Sequence, residues 1–251
     1  MVGDAIENMS GSQIELVGFD GDDTLWHSEG YYQHAGAEFE RIVGAYVDLE
    51  DAQTRARLLA AERRNLALFG YGAKSMTLTM VETAIELTDG AISARDIHRI
   101  VALGKAILEH PVELLPGIRE AVEEVAARYR VVLITKGDLH HQERKVARSG
   151  LDDLFHRIEI VSEKSERSYR KVLDEFGLVV EAFVMVGNSM RSDIEPVVGL
   201  GGWGVYVPYH VTWEHELEHE VEAGHPRVIG VAHASEIPDA VARCGGETTS
   251  A

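Results

Sequence analysis

The feature that most restricts the fold of this chain is the alternation that sets in after HPVELLPGI, residues 110–118. The stretches IREAVEEVAARY, LHHQERKVARSG and ERSYRKVLDEFG have the composition of helices. Between and after them stand the short apolar runs RVVLIT, HRIEIVS and AFVMVG, and GWGVYVP follows one further short helix. Strands alternating with helices of about 10 to 15 residues signal βαβ units and a parallel sheet. The run IELVGF, residues 14–19, ends abruptly in acids and glycine, as a buried parallel strand does. The expected fold class is α/β, a doubly wound (Rossmann-like) parallel sheet core with an inserted all-helical cap domain.

The insertion is read from a change of texture between about Tyr31 and Glu109. AGAEFERIVGAYV, DAQTRARLLAAERRNLALF and SMTLTMVETAIEL are rich in Ala, Leu, Glu and Arg, with apolar residues three and four apart. That spacing predicts several amphipathic helices and no strand. The expected division is a core of residues 1–27 and 113–251 around a helical cap of residues 28–112. No internal repeat is visible, and both ends read as frayed termini.

Charge narrows the choice of ligands. The chain has 251 residues, 45% of them hydrophobic, so a substantial core can close; its formal charge is −18. Clustered Lys and Arg that would neutralise phosphates are missing, which argues against a nucleic-acid or anionic-membrane partner. If the substrate is an anion, a cation must assist. Cys244 is the single cysteine, so no intramolecular disulfide or cysteine-based zinc site is expected. The N-terminal MVGDAIENMSGSQ lacks an apolar segment flanked by positive charge. No stretch approaches the roughly 20 apolar residues of a membrane span. A soluble, cytoplasmic monomer or homodimer is the expectation.

Doubly wound sheets bind ligands beyond the carboxyl ends of their strands, so the residues directly after each apolar run carry the information. The first run delivers Asp20, Gly21, Asp22, Asp23 and Thr24; the second, Thr135, Lys136 and Gly137. Lys164 follows the third. Gly187, Asn188, Ser189 and then Asp193 follow the fourth. Three acids within four positions behind a buried strand repel one another and lose water. Two carboxylates at i and i+2 can point to one side and share a hard, oxygen-seeking Mg²⁺, which relieves that repulsion.

With FDGDDTL, LIT ending at Thr135, SEK ending at Lys164 and VGNSMRSD in this order, each behind an apolar run, the sequence resembles the haloacid dehalogenase superfamily of hydrolases. The resemblance covers about residues 14–27 and 113–210. It implies that Asp20 attacks phosphorus to form an aspartyl-phosphate, and that Asp22 protonates the leaving oxygen and then deprotonates the hydrolytic water. It further implies that Thr135 and the Lys136 amide bind phosphoryl oxygens and that Lys164 holds Asp20 and the phosphate. Asp193 and Asn188 would complete a magnesium shell begun by Asp20 and Asp22. Asp23 reads as a turn or capping residue. Two departures stand out. The family often has Gly-Asp where this chain has Gly187 and Asn188, so Asp193 must supply the ionised metal contact. The family often follows its lysine with a proline-containing turn, where this chain has SERSY.

The resulting expectation is a Mg²⁺-dependent phosphatase acting on a small phosphorylated metabolite. A 2-haloacid dehalogenase and a phosphomutase are the alternatives of the same fold. Asp22 speaks against the first, whose carbon-centred substitution needs no second acid. The non-enzyme alternatives are a phosphate-binding protein and a receiver-like signalling protein, which would be about half this length and lack a helical insertion. HELEH, residues 215–219, formally matches a zinc metallopeptidase pattern, but the acids around it read as a solvated face. His210, His215, His219 and His225 are accordingly expected at the surface. His140 and His141 are expected to open a helix, or to face the site. Trp26 and His27 stand where the chain leaves the core and are expected to line the substrate entrance or pack a hinge.

Overall fold

The computed structural model describes residues 13–210 and 224–245. At its centre lies β1 (Leu16–Phe19), whose four residues are all buried. β1 pairs in parallel with β2 (Arg130–Lys136) on one side and β4 (Phe183–Gly187) on the other, with Val17 opposite both Val131 and Val184. β3 (Arg157–Val161) lies outside β2, while β5 (Trp203–Tyr206) and β6 (Val228–Gly230) continue beyond β4. The sheet order is β3-β2-β1-β4-β5-β6. Every pairing is parallel, so the strand ends that carry the motif residues lie along one edge of the sheet.

Strand side chains alternate between two faces, and each face is covered. Val17, Phe19, Leu133 and Val186 pack with Ile118 and Val122 of α5 (Ile118–Ala126) and Val241 of α9 (Ile237–Arg243). Leu16, Val132, Ile134 and Met185 pack with Tyr169 and Leu173 of α7 (Glu166–Phe176) and Val197 of α8 (Glu195–Leu200). Gly18 marks a tight place in the centre of the sheet: a Cβ there would stand 2.8 Å from the Phe183 ring and 2.9 Å from Met185 Sδ.

Between β1 and α5 run α1 (Glu29–Val43), α2 (Ala52–Phe69), α3 (Ala73–Leu87) and α4 (Ala94–Glu109), with no strand among them. Asp51 and Ser93 cap α2 and α4 by accepting from the Thr54 and Asp96 amides. These helices bury a cluster of their own, including Phe39, Ile42, Met80, Leu87 and Ile100. Gly104 lets α4 approach Thr77 on α3, where any Cβ would clash. The chain leaves and re-enters the sheet layer along two antiparallel neighbours. The His27 amide donates to Glu113 O at 3.0 Å, and the Leu115 amide to Leu25 O at 2.9 Å.

The sequence reading ends at the strand GWGVYVP and so omits β6 and α9. β6 has three residues, too few to show a period. Pro238 reads as a breaker in sequence, yet it occupies the first turn of α9, where a missing amide costs nothing. HELEH lies outside the described residues. No described helix is long and apolar enough to cross a membrane.

Gly18→Ala should destabilise the protein by about 1–3 kcal/mol through overpacking between β1 and β4, measured by urea denaturation. Unchanged stability would show that Phe183 and Met185 yield freely.

Candidate active site

β1 ends in a tight turn in which the Leu25 amide donates to Gly21 O at 2.8 Å and the Asp23 amide to Trp26 O at 2.7 Å. Asp23 takes a left-handed backbone, φ 63°, which aspartate tolerates better than most residues. Its carboxylate accepts from the amides of Ser28 at 2.8 Å and Glu29 at 3.0 Å, so it caps the start of α1, as expected. Its pKa is pushed up to about 7, by burial first and then by the neighbouring Asp22.

Asp20, only 6% exposed, stands at the floor of the turn. Lys164 Nζ donates to its Oδ1 and also, at 2.6 Å, to Oδ1 of Asp193, which is 1% exposed. Thr24 Oγ1 donates to the other Asp20 oxygen at 3.1 Å. Asp193 is delivered by a wide π turn at Met190–Ile194, a form common near functional sites. Its second oxygen accepts from the Ser189 amide at 3.0 Å. One ammonium thus serves two buried carboxylates, and the trio keeps a net negative charge. Burial, with the charge of Asp193 added, pushes the Asp20 pKa up to about 7 against the pull of Lys164. Burial opposes the Lys164 charge too, but Asp193 and Asp20 outweigh it and hold the ammonium protonated above the ordinary lysine range.

Asp22 meets a different set of partners. Its Oδ1 accepts from Trp26 Nε1 at 2.6 Å and Lys145 Nζ at 2.7 Å, and its Oδ2 accepts from Gln142 Nε2 at 2.9 Å. Burial works against its charge, but Lys145, Trp26 and Gln142 more than offset this and hold its pKa below the usual carboxylate range. Asp20 and Asp22 each have their own lysine, Lys164 and Lys145, which offsets their mutual repulsion.

Thr135, at the end of β2, has a buried hydroxyl with no hydrogen-bond partner. Gly21 lies against it, since a Cβ there would stand 3.2 Å from Thr135 Oγ1. Lys136 Nζ donates to Ser192 Oγ at 2.8 Å and sits 4.7 Å from the centre of the Tyr71 ring. The amide of Asn188 donates to Thr24 Oγ1 at 3.0 Å. Its side-chain nitrogen, in the orientation its neighbours require, lies 3.2 Å from Asp20 Oδ2 and 3.3 Å from the Asp22 carbonyl oxygen.

That last convergence bears on a metal. Among the described residues no three Asp, Glu, His or Cys side chains gather as a metal-binding group. The predicted set of Asp20, Asp22, Asn188 and Asp193 lies together on one cavity, with the Asp22 and Asp193 carboxylates facing Lys145 and Lys164. Asp22 can offer only its main-chain oxygen without giving up Lys145. Asp193 is committed to Lys164 and Ser189. What remains is one Asp20 carboxylate oxygen, the Asp22 carbonyl and the Asn188 amide, which presents oxygen when turned over. All are hard oxygen donors beside an excess of negative charge, and they suit Mg²⁺.

These groups form one end of a cavity of about 380 Å³, whose other walls come from α1, α2 and α3. His141 is buried against it, with its pKa lowered to about 4 by burial first and then by Lys145, so the ring is neutral; His140 is exposed. Both belong to the opening turn of α6 (Leu139–Ser149), whose cap is Asp138. Trp26 is buried at the point where the chain leaves the sheet, and His27 Nδ1 lies 2.6 Å from the Tyr209 hydroxyl. His210 is exposed, and His225 accepts from the Arg227 amide.

Lys145 and Gln142 are the site residues that sequence reasoning missed. In LHHQERKV they stand three apart on the buried face of the helix that follows the second motif, a spacing that puts them side by side without saying that they face Asp22. Lysine and glutamine on an amphipathic helix otherwise read as solvated.

Residues 14–200 match the family described as haloacid dehalogenase-like hydrolase. Among solved structures, a haloacid dehalogenase-like family hydrolase from Xanthomonas campestris is 56% identical, with a TM-score of 0.84, and the match covers 93% of this chain and 97% of that one. A 2-haloacid dehalogenase from Pseudomonas syringae pv. Tomato DC3000 shares the fold at 20% identity and a TM-score of 0.62, covering 92% of this chain and 99% of its own. A glyceraldehyde 3-phosphate phosphatase from Pyrococcus furiosus is 29% identical over 112 residues, 42% of this chain. The chain spans 47% of that relative's length.

Two stability measurements test this electrostatic arrangement. Asp20 binds a proton in the folded state up to about pH 7 and in the unfolded state only up to about 3.9, so its burial costs stability progressively as pH rises between those values. Without added metal, Asp20→Asn should therefore be more stable than the parent at pH 8, by about 1–3 kcal/mol. A less stable variant would contradict a net negative trio. Asp22 has the opposite sign: its lowered pKa stabilises the fold above about pH 4. Lys145→Met should cost about 1–3 kcal/mol at pH 7 and raise the Asp22 pKa, read by carboxyl NMR titration. An unmoved Asp22 titration would show that Lys145 is not its counter-ion.

Proposed function

The chain belongs to the haloacid dehalogenase-like hydrolases, and within that family we propose that it is a Mg²⁺-dependent phosphatase working through an aspartyl-phosphate on Asp20. The observation that carries this reading is the unpartnered, buried hydroxyl of Thr135, which lines the same cavity as Asp20 and its neighbouring acids. A buried hydroxyl left without a partner costs free energy. A phosphoryl oxygen placed between Thr135 and Lys136 would recover it. The phosphatase among the partial relatives agrees with this choice.

Asp20 attacks phosphorus through one carboxylate oxygen, forming the Asp20 oxygen-to-phosphorus bond as the bond to the leaving alcohol breaks. Asp22 gives its proton to the departing oxygen. Water then attacks the phosphorus, Asp22 takes the proton back from it, and the bond to Asp20 breaks to release phosphate. Because Lys145 holds Asp22 ionised in the free protein, the first proton must arrive with the substrate, as a phosphate monoester monoanion would bring it. Lys164 keeps the attacking carboxylate in place and Asp193 keeps Lys164 charged. Mg²⁺, held by Asp20, the Asp22 carbonyl and Asn188, would neutralise the negative charge that otherwise repels a phosphate.

The helices of residues 28–112 serve, in this reading, as a cap that excludes water from the reacting groups. Contacts between this block and the strand-end loops support it: Lys74 Nζ of α3 is 2.8 Å from Asp138, the cap of α6, and the hydroxyl of Tyr71, just before α3, donates at 2.6 Å to Glu163, next to Lys164. The acidic character of the whole chain supports a small phosphorylated partner over nucleic acid or an anionic membrane.

Purified protein should hydrolyse para-nitrophenyl phosphate with Mg²⁺ and stop in excess EDTA, and Mg²⁺ should raise its Tm. Asp20→Asn should remove both the activity and a hydroxylamine-sensitive phosphoenzyme, and most of the Tm rise. Asp22→Asn should slow turnover by about 10²- to 10⁴-fold while leaving the fold intact. Undiminished turnover by Asp20→Asn, or chloride release from 2-chloropropionate, would overturn the reading.

A further inference from the structure

One wall of the cavity carries hydroxyls that the proposed chemistry does not use. α3 presents Ser75 and Thr79 to it, four residues apart and each 8% exposed. Serine and threonine in a helix can return their hydroxyl to the carbonyl four residues back. Thr77 and Thr88, which do not line the cavity, do so, donating to Ala73 O at 2.6 Å and Ala84 O at 2.8 Å. Ser75 and Thr79 make no such bond, and among the described residues neither hydroxyl has a partner. The row starts close to the phosphoryl site. A Cβ on Gly72, which precedes α3, would stand 3.2 Å from the Asp138 amide nitrogen, and Lys74 Nζ is 2.8 Å from the Asp138 carboxylate, three residues beyond Thr135. Thr79 stands about 6 Å further along the helix axis than Ser75. Phe39 of α1 and Leu58 and Leu66 of α2 add apolar carbon to the same cavity.

We propose that Ser75 and Thr79 are specificity-determining residues that hydrogen-bond hydroxyl groups of the leaving alcohol, so that the site takes phosphate monoesters of polyhydroxy alcohols in preference to alkyl phosphates of the same length. This rests on the phosphatase reading. A hydroxyl both donates and accepts hydrogen bonds, and another hydroxyl complements it on both counts. A ligand that displaces water from Ser75 and Thr79 has to replace the bonds that water can make to them. An alkyl chain cannot, and it leaves two desolvated hydroxyls behind. A polyol can, while its C–H groups lie against Phe39, Leu58 and Leu66. A site built to bind a substrate hydroxyl rejects the analogue lacking it more strongly than an apolar pocket rejects an added hydroxyl. The volume of about 380 Å³ suits an ester of small-metabolite size.

The test compares ribitol 5-phosphate with n-pentyl phosphate, which match in carbon number and charge. The wild-type kcat/KM should be at least about tenfold higher for the ribitol ester, with the difference mainly in KM. Thr79→Val and, separately, Ser75→Ala should each lower the ratio of ribitol to pentyl kcat/KM about two- to tenfold, and Thr79→Ser, which keeps the hydroxyl, should preserve it. Because the Thr79 hydroxyl has no partner among the described residues, Thr79→Val should melt no lower than the parent. Wild-type hydrolysis of the pentyl ester as fast as the ribitol ester, or a ratio that neither Thr79→Val nor Ser75→Ala moves, would overturn the hydroxyl selection while leaving the phosphatase reading intact. Equal losses on both esters with a lowered melting temperature would overturn it too, by showing that these side chains only support the fold. Failure of both esters together with para-nitrophenyl phosphate would instead remove the phosphatase reading itself.

Discussion

The site depends on Lys164, a buried ammonium shared between Asp20 and Asp193. Two carboxylates and one lysine cannot balance, and the sheet withholds the water that would make the imbalance cheap. Much of the surrounding design follows from this. Thr24 spends its hydroxyl on Asp20, the Ser189 amide spends its proton on Asp193, and the π turn after β4 brings Asp193 to Lys164. A group held at such cost is poised to react with something that brings positive charge or removes negative charge. The fold tolerates it because the two covered faces of the sheet supply a large apolar burial that does not involve the site.

Asp22, two residues away, has met the opposite fate, and the contrast divides the labour between them. Lys145, Gln142 and Trp26 satisfy both of its oxygens and favour its charged form. One carboxylate is raised and the other lowered by their surroundings, which is how neighbouring acids come to differ in role. Lys145 also donates to Ser28 Oγ at 3.1 Å, at the foot of α1. The group that sets the ionisation of Asp22 is thereby in contact with the point where the helical insertion begins.

The order of elements was legible because its signals are local: apolar runs of β-branched residues between helical periods, and acids or threonine directly after them. Thr135 ends a strand that can be read from sequence, Asp20, Lys164, Asn188 and Asp193 follow such strands, and the parallel sheet gathers strand ends by necessity. β6 and α9 escaped because three residues carry no period and a proline at a helix start looks like a stop. Lys145 and Gln142 escaped for a different reason: their role comes from α6 turning its buried face toward Asp22, a tertiary fact that no spacing encodes. A cation shared at i and i+2 is the simplest answer to repulsion, and a lysine on a distant helix is another.

The central claim is that Asp20 receives the phosphoryl group and that the unpartnered Thr135 hydroxyl is the place prepared for one of its oxygens. A crystal structure with Mg²⁺ and beryllium trifluoride, a mimic of an aspartyl-bound phosphoryl group, tests it most directly. The account predicts beryllium bonded to an Asp20 carboxylate oxygen, a fluorine within hydrogen-bond distance of Thr135 Oγ1, and Lys164 still in contact with Asp20. Beryllium bonded to Asp22 or Asp193, or a Thr135 hydroxyl still unpartnered with the trifluoride in place, would contradict it.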